Sequence, residues 1–276
     1  MVDKIFEAFS SIIDQVKKNE LAPNKIYGAE RHERNYLITE QLFRYADDLN
    51  RSISELRNLN RELNEAYIDT IHRLAVAAEY RDNETGDHIH RMSLYSAVLA
   101  KGYGLSDEKI QNLRYAAPMH DIGKIGIPDH IMLKPGKLTK QEFEVMKTHT
   151  TIGAKILADS KAEVLQIAQK IALSHHEKWN GKGYPQGLSK EKIPLEGRIV
   201  GLIDVFDSLT SKRSYKDVYP IEVALDIIRK EKEKHFDPDL VEIFFDNIDE
   251  IISIKKEKMT AGEFKWSERD VSKEMK

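Results

Sequence analysis

The stretch His120-Asp121-Ile122-Gly123-Lys124 falls where an apolar run with helical spacing, residues 106 to 119, gives way to a glycine- and proline-rich connection over 122 to 138. Two adjacent ligand-type side chains at such a junction can turn towards a common point. Outward from it, apolar residues recur every three or four positions from Asp69 to about Ser253, and no alternating β-branched stretch is bounded by hairpin turns. The pattern predicts an all-α helix bundle, with helices near 69 to 80, 87 to 103, 106 to 119, 139 to 158, 161 to 176, 195 to 212, 220 to 233 and 238 to 254. A second connection rich in glycine and proline covers 177 to 197.

Ahead of the bundle, Ile5, Phe9, Ile12 and Val16 stand at helical spacing until Pro23 and Gly28 interrupt them, which predicts a short N-terminal helix. From about Arg31 to Glu65 there is no proline or glycine, and Leu42, Leu49, Leu56 and Leu63 repeat every seven residues, as in a coiled coil. Its second seam is either Ala46, Ile53 and Asn60 or Tyr45, Ser52 and Leu59. The first choice buries Asn60 at an a position, a device that fixes parallel dimers. The alternative is one long amphipathic helix packed back on its own chain. Three segments result: a helical and coiled-coil segment over 1–68, a bundle domain over 69–254, and a charged tail over 255–276 that is expected to fray.

At 276 residues the chain has room for one main core and an accessory segment. With 41% hydrophobic and 32% charged residues it has the make-up of a soluble protein, and its apolar runs are too short to insert in a membrane. The first residues lack the apolar core and cleavage site of a secretory signal, so the expected location is cytoplasmic. Net charge is −3 with both signs interspersed, which gives no electrostatic footprint for duplex nucleic acid. The absence of cysteine excludes disulfides, thiolate catalysis and sulfur-ligated zinc, and leaves any metal to nitrogen and oxygen ligands.

Of ten histidines, His88, His120, His149, His175 and His176 stand beside other hard or borderline ligands at predicted helix ends. A lone histidine is more often an ordinary core or surface residue. The series His120-Asp121, His149, His175-His176 and Asp204 is harder to explain that way, because burying so many ionisable groups without a cation costs several kcal/mol each. Asp121, with two oxygens, is the natural bridge between two ions.

The residues His120 to Asp129, followed by Lys134-Pro135-Gly136-Lys137-Leu138-Thr139, resemble the HD signature of HD-GYP proteins. His175-His176-Glu177 with Gly181-Lys182-Gly183-Tyr184-Pro185 is similar to that family's second motif, and Asp204-Val205-Phe206-Asp207-Ser208-Leu209-Thr210 to a third. The resemblance spans about 69 to 250. It implies metal ligands at His88, His120, Asp121, His149, His175, His176 and Asp204, and a ligand for a third ion at Glu84, as in trinuclear members. The plain alternative for Glu84 is a solvated acid near a helix N-terminus. Asn180, Ser208 and Ser214 depart from the family's usual residues, and none of these changes removes a ligand.

The function implied is hydrolysis of cyclic di-GMP to pGpG, and on to GMP if a third ion is bound, with related cyclic dinucleotides as further candidates. A di- or trinuclear cluster of divalent iron or manganese would activate water and neutralise charge building at phosphorus. Asp121 and Lys124 are the expected catalytic residues, Lys124 holding a phosphate oxygen or the leaving alkoxide. Arg213 and Lys216 are expected at the second phosphate and Tyr184 against a base or under its loop. Asp207 is expected to touch substrate or orient a ligand. Two other classes compete: an HD-superfamily phosphohydrolase of nucleotides or alarmones, and a non-catalytic cyclic di-GMP sensor signalling through a homodimeric coiled coil.

Overall fold

The computed structural model describes residues 29–82, 86–211 and 218–256, and among them there is no β-strand beyond two isolated bridges. The helices in order are α1 (Ala29–Glu79), α2 (Gly86–Gly102), α3 (Asp107–Ala116), the short α4 (Asp129–Met132), α5 (Lys140–Lys147), α6 (His149–Ile156), α7 (Glu163–Ser174), α8 (Leu195–Thr210), α9 (Ile221–Lys230), α10 (Pro238–Asp246) and α11 (Ile248–Lys256). Tight 3-10 turns at Ala117–Met119 and Ile122–Gly126 flank the His120-Asp121 pair. The expected helix at 2–18 lies outside the described residues, as does the tail beyond Lys256. No helix among the described residues is long and apolar enough to cross a membrane.

The chain divides into two compact units, Met1–Leu63 and Asn64–Lys276. In the first, the described part of α1 leaves Leu42, Leu49, Leu56 and Leu63 exposed, and Glu40 pairs with Arg44 one turn on at 2.6 Å. The predicted coiled-coil stretch and the predicted helix at 69 to 80 are one helix, because nothing between them carries a break signal: no proline or glycine occurs from Arg31 to Glu79.

In the second unit α8 is the central helix, packed against α2, α7, α9 and α10, while α2 also meets α3 and α11. The apolar stripe Ile89, Met92, Tyr95 and Leu99 of α2 is fully buried, with Tyr95 edge-on to Phe206 of α8 and Phe206 edge-on to Phe244 of α10. Each such side chain contributes roughly 1.5–3 kcal/mol by leaving water.

Two predicted helices are each split. The span expected at 139 to 158 starts with a capping box between Thr139 and Glu142 but breaks at Thr148. There the Thr148 hydroxyl donates to the Val145 carbonyl at 2.6 Å and the His149 ring to the Met146 carbonyl at 2.7 Å, so side chains take acceptors that the next helical turn would use. Similarly, 238 to 254 breaks at Asn247, whose side-chain amide donates to the Ile243 carbonyl at 2.8 Å. The span expected at 106 to 119 leaves α-geometry at Ala116, where Pro118 opens a tighter turn.

Close backbone approaches draw the ends of these helices together. A Cβ on Gly123 would stand 1.8 Å from the His149 carbonyl oxygen, and one on Gly201 of α8 2.5 Å from that of His175. Only a bare backbone admits those contacts. Arg81, just past α1, holds the segment after the HD pair by donating to the carbonyls of Lys124 (3.3 Å), Ile125 and Ile127 (3.1 Å) and pairing with Asp129.

Candidate metal centre

Five imidazoles and two carboxylates from separate elements meet at one end of this bundle. His88 comes from the first turn of α2, His149 opens α6, His175 and His176 follow the last turn of α7, and Asp204 lies within α8. Asp121 sits among them: its Oδ1 is 3.1 Å from His149 Nε2 and 3.5 Å from His175 Nε2, and its Oδ2 is 3.4 Å from His120 Nε2. Asp204 Oδ1 stands 3.9 Å from His88 Nε2 and 4.0 Å from His120 Nε2. The His175 and His176 rings are 4.0 Å apart, and those of His149 and His176 5.1 Å.

The rings share one orientation. Nδ1 of His120 donates to the Ala117 carbonyl (3.1 Å), that of His149 to Met146 (2.7 Å) and that of His175 to Ile171 (3.0 Å). A carbonyl only accepts, so Nδ1 carries a proton and Nε2 is the atom each ring turns to the centre. The Nε2 atoms of His120, His149 and His175 and Oδ1 of Asp121 are buried and make no hydrogen bond. Buried acceptors converging without a donor are costly, and a cation is the partner that satisfies them. Asp121, His149, His175 and His176 form one group able to surround an ion, and Glu79, His88 and His120 a second, with ligand atoms within 4.8 Å of one another in each. The nitrogen and oxygen donors therefore fit a site for two or three divalent ions.

The electrostatics agree with that fit. Burial disfavours ionisation of Asp121, yet Lys124, with Nζ 2.8 Å from Oδ2, and His120 together hold the carboxyl well below its ordinary range. Burial would also depress His120, but the Asp121 carboxylate, with Asp204 and Glu79, outweighs it and lifts the ring to about 9. His175 and His176 are lowered, by burial first, and so stay neutral as ligands must. Metal ions entering the centre would displace the proton from His120.

Further residues singled out in the sequence lie around the centre. Asp207, expected at the substrate or behind a ligand, is 1% exposed, and its oxygens are taken by His88 Nδ1 (2.8 Å), Arg91 (2.6 and 2.8 Å), Ser211 (3.1 Å) and Lys255 (3.0 Å). It thereby orients His88, one of the two roles expected of it. Lys255, expected to fray with the tail, belongs to the last turn of α11. Tyr184 has its ring 4.8 Å from that of His176, and so backs a ligand-type side chain from its loop. Glu177, 5% exposed, accepts the backbone N–H groups of Gln186 (2.7 Å), Gly187 (3.1 Å) and Leu188 (3.0 Å), which shapes that loop. Glu84, Arg213 and Lys216 lie outside the described residues. Glu79, which the sequence reading passed over, is 2% exposed at the edge of the centre. Its signal was an acid on the stripe that buries Ile68, Ile71 and Ala75.

The family model described as "HD domain" matches residues 72–240, and the chain belongs to this family. Over 198 residues the chain is 44% identical to the 3'3'-cGAMP-specific phosphodiesterase 2 of Vibrio cholerae, covering 72% of this chain and 38% of that protein. Over 183 residues it is 45% identical to a cyclic di-GMP phosphodiesterase of Thermotoga maritima, covering 66% of this chain and 50% of that protein. The chain thus spans half or less of the length of these relatives. The crystal structure of a cyclic GMP-AMP specific phosphodiesterase of V. cholerae, V-cGAP3, shares the fold with a TM-score of 0.52 at 22% identity, over 69% of this chain and 51% of that one.

Proposed function

We propose that the chain is a metal-dependent phosphodiesterase that opens cyclic di-GMP to pGpG and carries it on to GMP. The observation that carries this reading is the set of buried Nε2 and Oδ1 atoms that converge on Asp121 without hydrogen bonds. In it, His88, His120, Asp121, His149, His175, His176 and Asp204 hold two ions, iron or manganese by the borderline character of the donors, and Glu84 serves a third. Such ions, when bound, lower the pKa of water into the neutral range and withdraw charge from the phosphate under attack.

The chain's own residues supply the rest. Asp121 divides its two oxygens between the imidazoles on either side. Lys124 is 8% exposed and bonded to Asp121, and its ammonium is the cation at hand for a nonbridging phosphate oxygen or the departing alkoxide. Arg213 and Lys216 are assigned to the second phosphate, and the face of Tyr184 away from His176 to a base. The domain over 69–254 is the catalytic one, acting in the cytoplasm.

Identity to a protein named for 3',3'-cGAMP favours a second substrate reading on the same centre. An anaerobic assay of metal-reconstituted protein with cyclic di-GMP, 3',3'-cGAMP and ppGpp decides among them. Cleavage of cyclic di-GMP to pGpG and GMP is expected, with Glu84→Ala lowering metal content and the second cut. Binding of cyclic di-GMP without turnover would make the chain a sensor, and turnover of ppGpp alone an alarmone hydrolase.

The heptad leucines Leu42, Leu49, Leu56 and Leu63, exposed on α1, are assigned to a parallel homodimeric coiled coil. By light scattering the full chain is expected to have the mass of a dimer, and the chain without residues 1–65 that of a monomer. A monomeric full-length chain would remove the dimer.

A further inference from the structure

Glu79 ends α1 on the face that buries Ile68, Ile71, Ala75 and Ala78, and it is itself 2% exposed. Both of its carboxylate oxygens are buried and neither makes a hydrogen bond. An ionised carboxylate in that position costs several kcal/mol unless a positive charge answers it. The ammonium in range, Lys124, is already bonded to Asp121 Oδ2 at 2.8 Å. What does face Glu79 is the pair His88 and His120, and one ligand atom from each of the three lies within 4.8 Å of the others. His120 has its Nδ1 proton committed to the Ala117 carbonyl, and His88 its Nδ1 to Asp207. Both rings therefore turn Nε2 towards the same space as the carboxylate.

We infer that Glu79 is a carboxylate ligand of the divalent ion on the His88–His120 side of the centre, a ligand contributed by the helix that precedes the HD motif. The assignment rests on the metal-dependent reading above. It completes a three-residue set for one ion beside the four-residue set around Asp121. It also explains why an acid, and not another apolar residue, occupies this position in the stripe, since neither carboxylate oxygen has a hydrogen-bond donor and an ion between Glu79, His88 and His120 would answer both.

The test is manganese uptake by purified, chelator-stripped full-length protein, comparing wild type with Glu79→Gln by metal analysis and by thermal melting with and without Mn2+. Glu79→Gln is expected to hold about one ion fewer per chain, or to bind it about tenfold or more weakly. In chelator it is expected to melt at or above the wild-type temperature, because the uncompensated buried acid is gone, while its Mn2+-dependent rise in melting temperature shrinks. Equal manganese content and an equal rise in both proteins overturn the assignment. If Glu79→Gln does not fold, Glu79→Asp carries the comparison, with weakened uptake expected and unchanged uptake overturning it. A wild type that takes up no manganese or iron overturns the metal-dependent reading itself, which separates the two failures.

Discussion

Asp121→Ala is expected to abolish hydrolysis of cyclic di-GMP, a loss of at least about 10³-fold, because several kcal/mol of charge stabilisation leave with the ions. Among the described residues, Asp121 is the one carboxylate within 3.5 Å of Nε2 on three imidazoles, those of His120, His149 and His175. Without it these rings still converge, but the carboxylate nearest three of them, which would hold the ions, is gone. The same change removes the 2.8 Å ion pair that Asp121 makes with the Lys124 ammonium, which is 8% exposed. Metal analysis and turnover on the same preparation check the prediction. Asp121→Ala with wild-type turnover would sink the mechanism. Asp121→Asn, which keeps the shape and one accepting oxygen, is expected to fold closer to wild type while remaining inactive.

Asp207→Ala is expected to give the largest loss of stability, about 3–5 kcal/mol, since it removes a buried carboxylate that two part-buried cations share. Arg91 and Lys255 both end on this carboxylate, and their side chains are 14% and 12% exposed. A domain of this size should lose on the order of 10 °C in melting temperature. Burial opposes ionisation of Asp207, but the hydrogen bonds from Arg91 and His88 outweigh it and hold the carboxyl well below the ordinary range. A depressed native pKa means the stabilisation is complete above the unfolded value of about 3.9 and is lost as pH falls through the native one. The gap between wild type and Asp207→Ala should therefore be constant from about pH 5 to neutrality and narrow in acid. Asp207→Ala also releases His88, so weaker Mn2+ binding should accompany the lower melting temperature. Unchanged Mn2+ affinity would confine Asp207 to stability.

The bundle and most of the centre were legible because their signals are local. A helical apolar pattern needs only a short window, and His120-Asp121 and His175-His176 announce themselves by adjacency. The break at Thr148 was not legible, since it arises from side chains taking backbone acceptors without a proline or glycine to mark it. Lys255 meets Asp207 from 48 residues away, and nothing in a charged C-terminal stretch marks one lysine as paired with it. Glu79 is an intermediate case. Its place on a buried stripe was readable, but an acid there stands out only once the stripe is known to face imidazoles.

The Glu177 clamp divides its loop into fixed and open positions. Three amides over 186–188 close on one carboxylate, and a Cβ on Gly183 would meet the Lys178 nitrogen at 2.3 Å, so neither insertion nor a larger residue fits there. Lys182 and Gln186 point outward and are exposed. Tolerance to change is thereby divided: the outer rim of the loop accepts new side chains, while the spacing that carries Tyr184 to His176 does not stretch.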